Sequence, residues 1–294
     1  MDRLHRYAAF GVLYLAQGSI LAFMTALNSI YLLSRGVPMA RIGIVSAIGM
    51  IPFVLKILLG ILSDRVNLLG HGHRLPYIAI GVLLQAAGLV ALPQVDPATH
   101  FVAYGAVVFS TVAGMALYDT CTDGLALDTT PREEEGTVQG IMVGSRALGI
   151  IFVSIVIGMV AQHSWPAVFY TLSGITLLAL PLLIGLREPD TPVGDGFHWG
   201  AFGALGRRRV LAVALFGTLN SFVAYGANEL VNPFLQASFG ISTSVAGLFT
   251  AVWGAGVVAG ALLSGRLADR ISQPLAALGA VVLAALSLLA LSRV

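Results

Sequence analysis

Apolar residues fill this chain in long runs, broken at short intervals by proline, glycine or charged residues. A helix needs about 20 apolar residues to cross about 30 Å of hydrocarbon. Only helices or closed barrels satisfy their own backbone hydrogen bonds there. The pattern predicts nine spans, over residues 7–33, 42–63, 76–94, 100–127, 137–161, 166–186, 210–236, 244–264 and 273–292. Breaks fall at Pro38, the His71–Arg74 loop, Pro93 to Pro97, Pro131 with its acidic run, and Trp165-Pro166. The first apolar stretch exceeds the 7–15 residues of a signal-peptide core and contains Gln17 and Asn28, so it reads as a retained helix.

One long connection, Arg187 to Arg209, is rich in proline, glycine and charge and separates six spans from three. It divides the chain into a six-helix bundle over 1–187, a cytoplasmic loop over 188–209 and a three-helix portion over 210–294. With the N-terminus inside, the inner segments hold Arg3, Arg6, Arg65, Arg74, Arg132, Arg187, Arg207, Arg208, Arg209, Arg266 and Arg270. The outer segments hold Arg35, Arg41 and Arg293. That asymmetry obeys the positive-inside rule and predicts a cytoplasmic N-terminus.

An internal repeat supports the same organisation. Gly60-Ile-Leu-Ser-Asp64-Arg65 closes the second predicted span, and Gly265-Arg-Leu-Ala-Asp269-Arg270 closes the eighth. Upstream, Gly36 to Ser46 aligns with Gly240 to Thr250 and keeps a glycine at 43 and 247. Spans one to three and seven to nine therefore correspond as parallel repeats, an arrangement found in secondary transporters. A complete second half needs three further spans, so the expectation is a truncated C-terminal bundle.

Composition narrows the class. The 294 residues are 57% hydrophobic and 10% charged, far below the roughly 25% charge of soluble domains. A net charge of +2 is too mild to imply nucleic acid. The single cysteine, Cys121, excludes an internal disulfide or multi-thiolate site and reads as a packing residue. His71 and His73 lack further ligands, so no metal site is expected. No nucleotide-binding glycine loop, nucleophile elbow or zinc motif is present, which argues against an enzyme or a cofactor.

The informative chemistry is charge within the spans. Asp119 and Asp123 are four apart, on one helical face. Counting from the inner ends at about 1.5 Å per residue, Asp119 lies about 16 Å deep, Arg146 about 13 Å, Lys56 about 12 Å and Asp123 about 10 Å. Ionised groups at such depth cost about 2.5–3.5 kcal/mol each on insertion scales, so they face one another or a wet cavity. A static cluster fixing helix packing is one reading. The favoured one is ion coupling by Asp119 and Asp123, with Arg146 and Lys56 as charge partners and a proton bound for part of the cycle. Asp64, Arg65, Asp269 and Arg270 are the candidate inner gate, the aspartates accepting from a facing helix N-terminus or pairing with a basic side chain. Glu133 to Glu135 precede a helix start and are expected to stabilise its dipole. Gln17, Asn28, Asn220, Tyr225, Asn228 and Glu229 either line a polar substrate cavity or bond between helices.

These motifs carry a family resemblance. G-x-x-x-D-R at two corresponding inner loops resembles the major facilitator superfamily. Within it, Tyr14-Leu-Ala-Gln17-Gly18, Pro52-Phe-Val-Leu-Lys56 and Ser63-Asp64-Arg65 resemble the acetyl-CoA transporter and AmpG-type muropeptide permease branch. So do Asp119-x3-Asp123-x4-Asp128-x2-Pro131, the run through Gly136, and Gly144-Ser-Arg146-Ala-Leu-Gly149. The resemblance covers about residues 7–190; Tyr118, where that branch has an amide, and the weakly basic Gly70–Arg74 loop depart from it. It implies a monomeric, all-α polytopic transporter in a bacterial inner (plasma) membrane, importing a bulky polar solute by alternating access with protons. The alternative is a non-transporting member of the same fold that assembles a membrane complex.

Overall fold

The computed structural model describes residues 3–68, 73–161, 163–188, 203, 206–219, 238–240 and 243–291. Among these, every regular element is helical. Seven helical segments are long and apolar enough to cross a membrane: Arg3–Thr25, Met39–Arg65, Leu75–Gln94, Phe101–Thr129, Arg132–Ala161, Trp165–Leu183 and Gln273–Ala290. They coincide with predicted spans one to six and nine. The eighth is the 28-residue helix Thr243–Arg270. Of the seventh, residues 208–219 are helical, and the remainder lies outside the described residues.

Numbered along the chain, α1 is Arg3–Ala22 and α2 is Asn28–Ser34, joined by a π-helical turn over Phe23–Leu27. The second span is α3 (Met39–Val54) and α4 (Lys56–Arg65). Pro52 lies inside α3; it has no N–H for the Ile48 carbonyl and crowds that turn, which accounts for the interruption at Leu55. Next come α5 (Leu75–Ala91), α6 (Phe101–Thr129) and α7 (Glu135–Phe152). A second π turn, Val153–Ile157, leads to α8 (Gly158–Ala161). Then follow α9 (Trp165–Leu177), α10 (Leu180–Leu183), α11 (208–219), α12 (Thr243–Arg270) and α13 (Gln273–Leu291).

The chain forms two compact units, Met1–Thr191 with Ala255–Val294, and Pro192–Gly254. In the first, α6 is the central helix, packed on α1, α3, α4 and α5, while α1 packs along α7 and α5 along α9. Phe10, Leu13, Ile78, Leu89, Tyr104, Met115, Tyr118 and Phe169 are fully buried in this core. Tyr31 meets Trp165 and Phe169 at 5.1 Å between ring centroids, closing one end. The second unit contains α11 and the start of α12.

Glycine sets how near the helices come. A Cβ on Gly18 would collide with the Arg146 carbonyl, and one on Gly149 with the Leu15 carbonyl, so α1 and α7 cross in backbone contact. Lipid tails are as apolar as side chains, so membrane helices associate through such close packing rather than hydrophobic exclusion. Gly136 and Gly265 bring α7 and α12 together in the same way.

The repeat is visible in backbone conformation. Gly36 and Gly240 both adopt left-handed φ, +75° and +63°, and each lies three residues before a helix start, at Met39 and Thr243. Gly36 ends α2 with the Val37 N–H bonded to the Leu32 carbonyl at 3.0 Å, a left-handed helix stop that glycine adopts without strain. Both helical segments then run to the arginine of a G-x-x-x-D-R motif.

If backbone contact at the α1–α7 crossing holds these helices, Gly18→Ala lowers stability by about 1–3 kcal/mol. A lowered thermal unfolding midpoint in detergent checks this. Gly174→Ala, where a Cβ would meet nothing within 4 Å, is the control and does not lower the midpoint, because alanine favours the helix over glycine.

Candidate functional site

The charged layer assembles around α6. Asp119 is 2% exposed. Its Oδ2 accepts from the Lys56 ammonium in a direct ion pair. Its Oδ1 accepts from Gln17 Nε2 at 2.6 Å. Lys56 opens α4 just after the Pro52 interruption, and its ammonium also lies 5.4 Å from the Phe53 ring centroid. One turn along α6, Asp123 accepts from the Tyr14 hydroxyl. Tyr14 and Gln17, three apart on α1, thus match Asp119 and Asp123, four apart on α6.

Arg146 acts on Asp119 through its charge from beyond ion-pair distance. Its guanidinium lies over the Tyr14 ring, 6.0 Å from the centroid, and makes no ion pair with either aspartate. Tyr14 already occupies an oxygen of Asp123, while Gln17 and Lys56 occupy both oxygens of Asp119.

Gln17 is buried against Asp119 rather than lining open space. Asn28 does border a cavity of 270 Å³, between the first π turn, α3 and α6, with Thr25, Ser46 and Phe53. Its side-chain oxygen accepts from the Tyr104 hydroxyl at 3.3 Å. Asn220, Tyr225, Asn228 and Glu229 lie outside the described residues. Among the described residues, no group of three or more His, Cys, Asp and Glu side chains could hold a metal.

Several segments predicted as inner meet at one end of the first unit. Asp64 pairs with Arg74 Nη2 at 3.1 Å, and Arg74 Nε donates to Asp128 at 2.8 Å. Asp269 instead accepts from the Gly136 and Thr137 N–H groups, both at 2.7 Å, and from the Thr137 hydroxyl. Equivalent aspartates of the repeat therefore use both available interactions: one meets a basic side chain, the other a helix N-terminus. Arg65 and Arg270 are exposed beside them.

Two further contacts join this end. Glu188 accepts from the His73, Arg74 and Leu75 N–H groups, capping α5. Glu134 pairs with Arg6 and accepts from the Tyr7 hydroxyl at 2.9 Å. The acidic run before α7 therefore serves α1 through Glu134, and Asp269 takes the free N–H groups of α7. Sequence reasoning missed Tyr14, Arg74, Asp128, Glu134 and Glu188 as partners. The Tyr14–Gln17 spacing against Asp119–Asp123 was the signal that could have placed the first.

At the opposite end, Arg35 lies 3.5 Å from Asp96, in the loop between α5 and α6. The Thr99 hydroxyl holds the Asp96 carboxyl below its usual range.

The profile of the Major Facilitator Superfamily matches residues 7–294. Among curated proteins, the chain is 25% identical to the "uncharacterized protein in puhA-bchM intergenic region" of Rhodobacter capsulatus, over 84% of this chain and 56% of that protein. It is 25% identical to the protein PucC of Rhodovulum sulfidophilum, over 86% and 62%. It is 27% identical to the folate-biopterin transporter of Synechocystis, over 61% and 36%. The chain thus spans 56% to 62% of the length of the first two.

Removing one partner of a buried pair leaves the other charge uncompensated, at about 3–5 kcal/mol, whereas replacing both with apolar groups is often neutral. Lys56→Met alone therefore destabilises the protein strongly, and Lys56→Met with Asp119→Leu recovers most of the loss. A double-mutant cycle on thermal unfolding measures this, and additive losses would count against a coupled pair.

Proposed function

Because the chain is a multi-pass membrane protein that belongs to the major facilitator superfamily, we propose that it is part of a non-enzymatic secondary transporter for a polar small solute. Transport proceeds by alternating access, the motion of helical bundles around a site near the membrane centre. The observation that carries this reading is the buried Lys56–Asp119–Gln17 cluster on α4, α6 and α1, with Asp123 and Tyr14 one turn away.

Asp119 is the coupling group. When it is ionised, Lys56 and Gln17 tie α4 and α1 to α6. A proton on Asp119 cancels the attraction to Lys56 and loosens that tie. The same event then biases the bundle toward one side opening, because a bound proton shifts an equilibrium only through unequal interaction with the two states. At the inner end, Asp269 on the α7 N-terminus and the Asp64–Arg74–Asp128 chain form the closed gate. Opening there breaks charge-assisted bonds, about 1.5–3 kcal/mol each.

The solute is a bulky polar molecule. Resemblance to the acetyl-CoA and muropeptide permease branch supports that size class, and a folate-biopterin transporter among the similar proteins makes folates and pterins the first compounds to test. The N-terminus is cytoplasmic, as the arginine distribution indicates, and the membrane is a bacterial inner membrane. A second reading, a non-transporting assembly factor, draws support from the mutual satisfaction of Asp119, Lys56 and Gln17, which serves a static scaffold equally well.

In proteoliposomes, an imposed proton gradient drives solute accumulation by the wild-type protein. Asp119→Asn abolishes this accumulation but retains exchange of solute between the two sides. Undiminished accumulation by the variant would sink the coupling role, and absence of any flux together with stable co-purification of one membrane complex would favour the assembly reading.

A further inference from the structure

Arg146 holds its guanidinium within the bundle, and its N–H groups have no hydrogen-bond partner among the described residues. It lies in the middle of the fifth membrane-crossing segment, Arg132–Ala161, and is half-buried. Among the described residues it stacks on Tyr14 and acts on Asp119 through its charge, without a hydrogen bond or ion pair to either aspartate. A guanidinium keeps its charge and carries five donors in a planar fork. In a membrane interior such a group needs an anion, backbone carbonyls or water. The aspartates of the layer do not supply it. Asp119 is engaged at both oxygens, and Tyr14 stands between Arg146 and Asp123.

The surroundings hold this fork in place. Gly18 lets the Arg146 backbone lie directly against α1, and the Tyr14 ring lies under the guanidinium. The anchored backbone and the stacked face fix the group, while the N–H edges are unbonded among the described residues. Planar forks of this kind recognise carboxylates and phosphates through two parallel hydrogen bonds.

We propose that Arg146 is the recognition group for an anionic moiety, a carboxylate or phosphate, of the ligand bound at this layer, rather than a direct ion-pair partner of Asp119 or Asp123. For the origin of the ligand this rests on the transporter reading above. Charge balance follows from it. Lys56, Arg146, Asp119 and Asp123 sum to zero when all are ionised, so one proton is needed for each negative charge that a bound anion brings. Anion and proton then travel together for an electrostatic reason.

The test uses the purified chain in phosphatidylcholine nanodiscs, with folic acid, which carries two carboxylates, and biopterin, an uncharged ring of the same type, as probes. Phenylglyoxal labels water-accessible arginines, and mass spectrometry reads the site. Arg146 is labelled, and folic acid protects it while biopterin does not. Arg146→Gln weakens folic acid binding by roughly 10- to 100-fold, the range of a lost charge-assisted bond. Arg146→Lys weakens it less, and both variants weaken folic acid binding far more than biopterin binding. Protection by phosphatidylglycerol nanodiscs without folic acid assigns the anion to a lipid headgroup instead of a free solute.

The proposal is overturned if Arg146 is unlabelled, if the wild type fails to bind folic acid more tightly than biopterin, or if Arg146→Gln leaves folic acid binding intact. The transporter reading fails separately. Folic acid binding without flux sinks transport and keeps the anion site, whereas undiminished proton-driven flux in Arg146→Gln sinks the site and keeps transport.

Discussion

Asp119 sits 2% exposed within α6, where Lys56 and Gln17 reach it from two other helices. That convergence constrains the bundle around it. The second span must break so that Lys56 opens a new helix, and Pro52 supplies the interruption. The first span must lie close enough for Gln17 and Tyr14 to reach the acidic face of α6. Burying a charge is tolerated only when its partners satisfy it fully, so helix positions and side-chain chemistry are fixed together.

Close packing and polar pairing act on the same helices. Gly18 lies one residue beyond Gln17 on α1, and it is the point at which α1 touches the Arg146 backbone. The contact that joins α1 to α7 therefore also sets the height of Gln17 and Tyr14 against α6. Loosening that crossing would disturb the ion pair without touching either of its members. Two π turns, Phe23–Leu27 and Val153–Ile157, interrupt the helices of the same two spans. Such turns often mark functional positions, and here each lies beyond the charged layer along its own span.

The two copies of the repeated motif show how one sequence pattern serves two local chemistries. Asp64 meets Arg74, and Asp269 meets the N-terminus of α7. Both partners are electropositive, one a guanidinium and the other a set of unbonded N–H groups at the positive end of a helix. The glycine before each aspartate lies against a different neighbour. Gly265 contacts the backbone of Gly136, whereas a Cβ on Gly60 would meet the Thr120 methyl at 3.4 Å. The closer approach lets Asp269 reach main-chain donors, and the looser one leaves Asp64 to a long side chain.

Among the described residues, seven of the predicted spans, their approximate ends and the repeat were legible in the sequence because they depend on local properties. Apolar length fixes a membrane helix, proline and glycine fix its ends, and a left-handed glycine recurs at 36 and 240. That Lys56, Asp119, Asp123 and Arg146 share one level of the bundle was legible too, since a helix rises by about 1.5 Å per residue. Pairing was not. Four charges at similar depth admit several combinations, and rise along a helix says nothing of rotation about its axis or of which helices are neighbours. Only the tertiary structure gave Lys56 to Asp119, Tyr14 to Asp123 and Glu134 to Arg6, and left Arg146 stacked on a ring. Those outcomes were decided by where glycine allows backbones to touch, a property of two helices at once that neither segment carries alone.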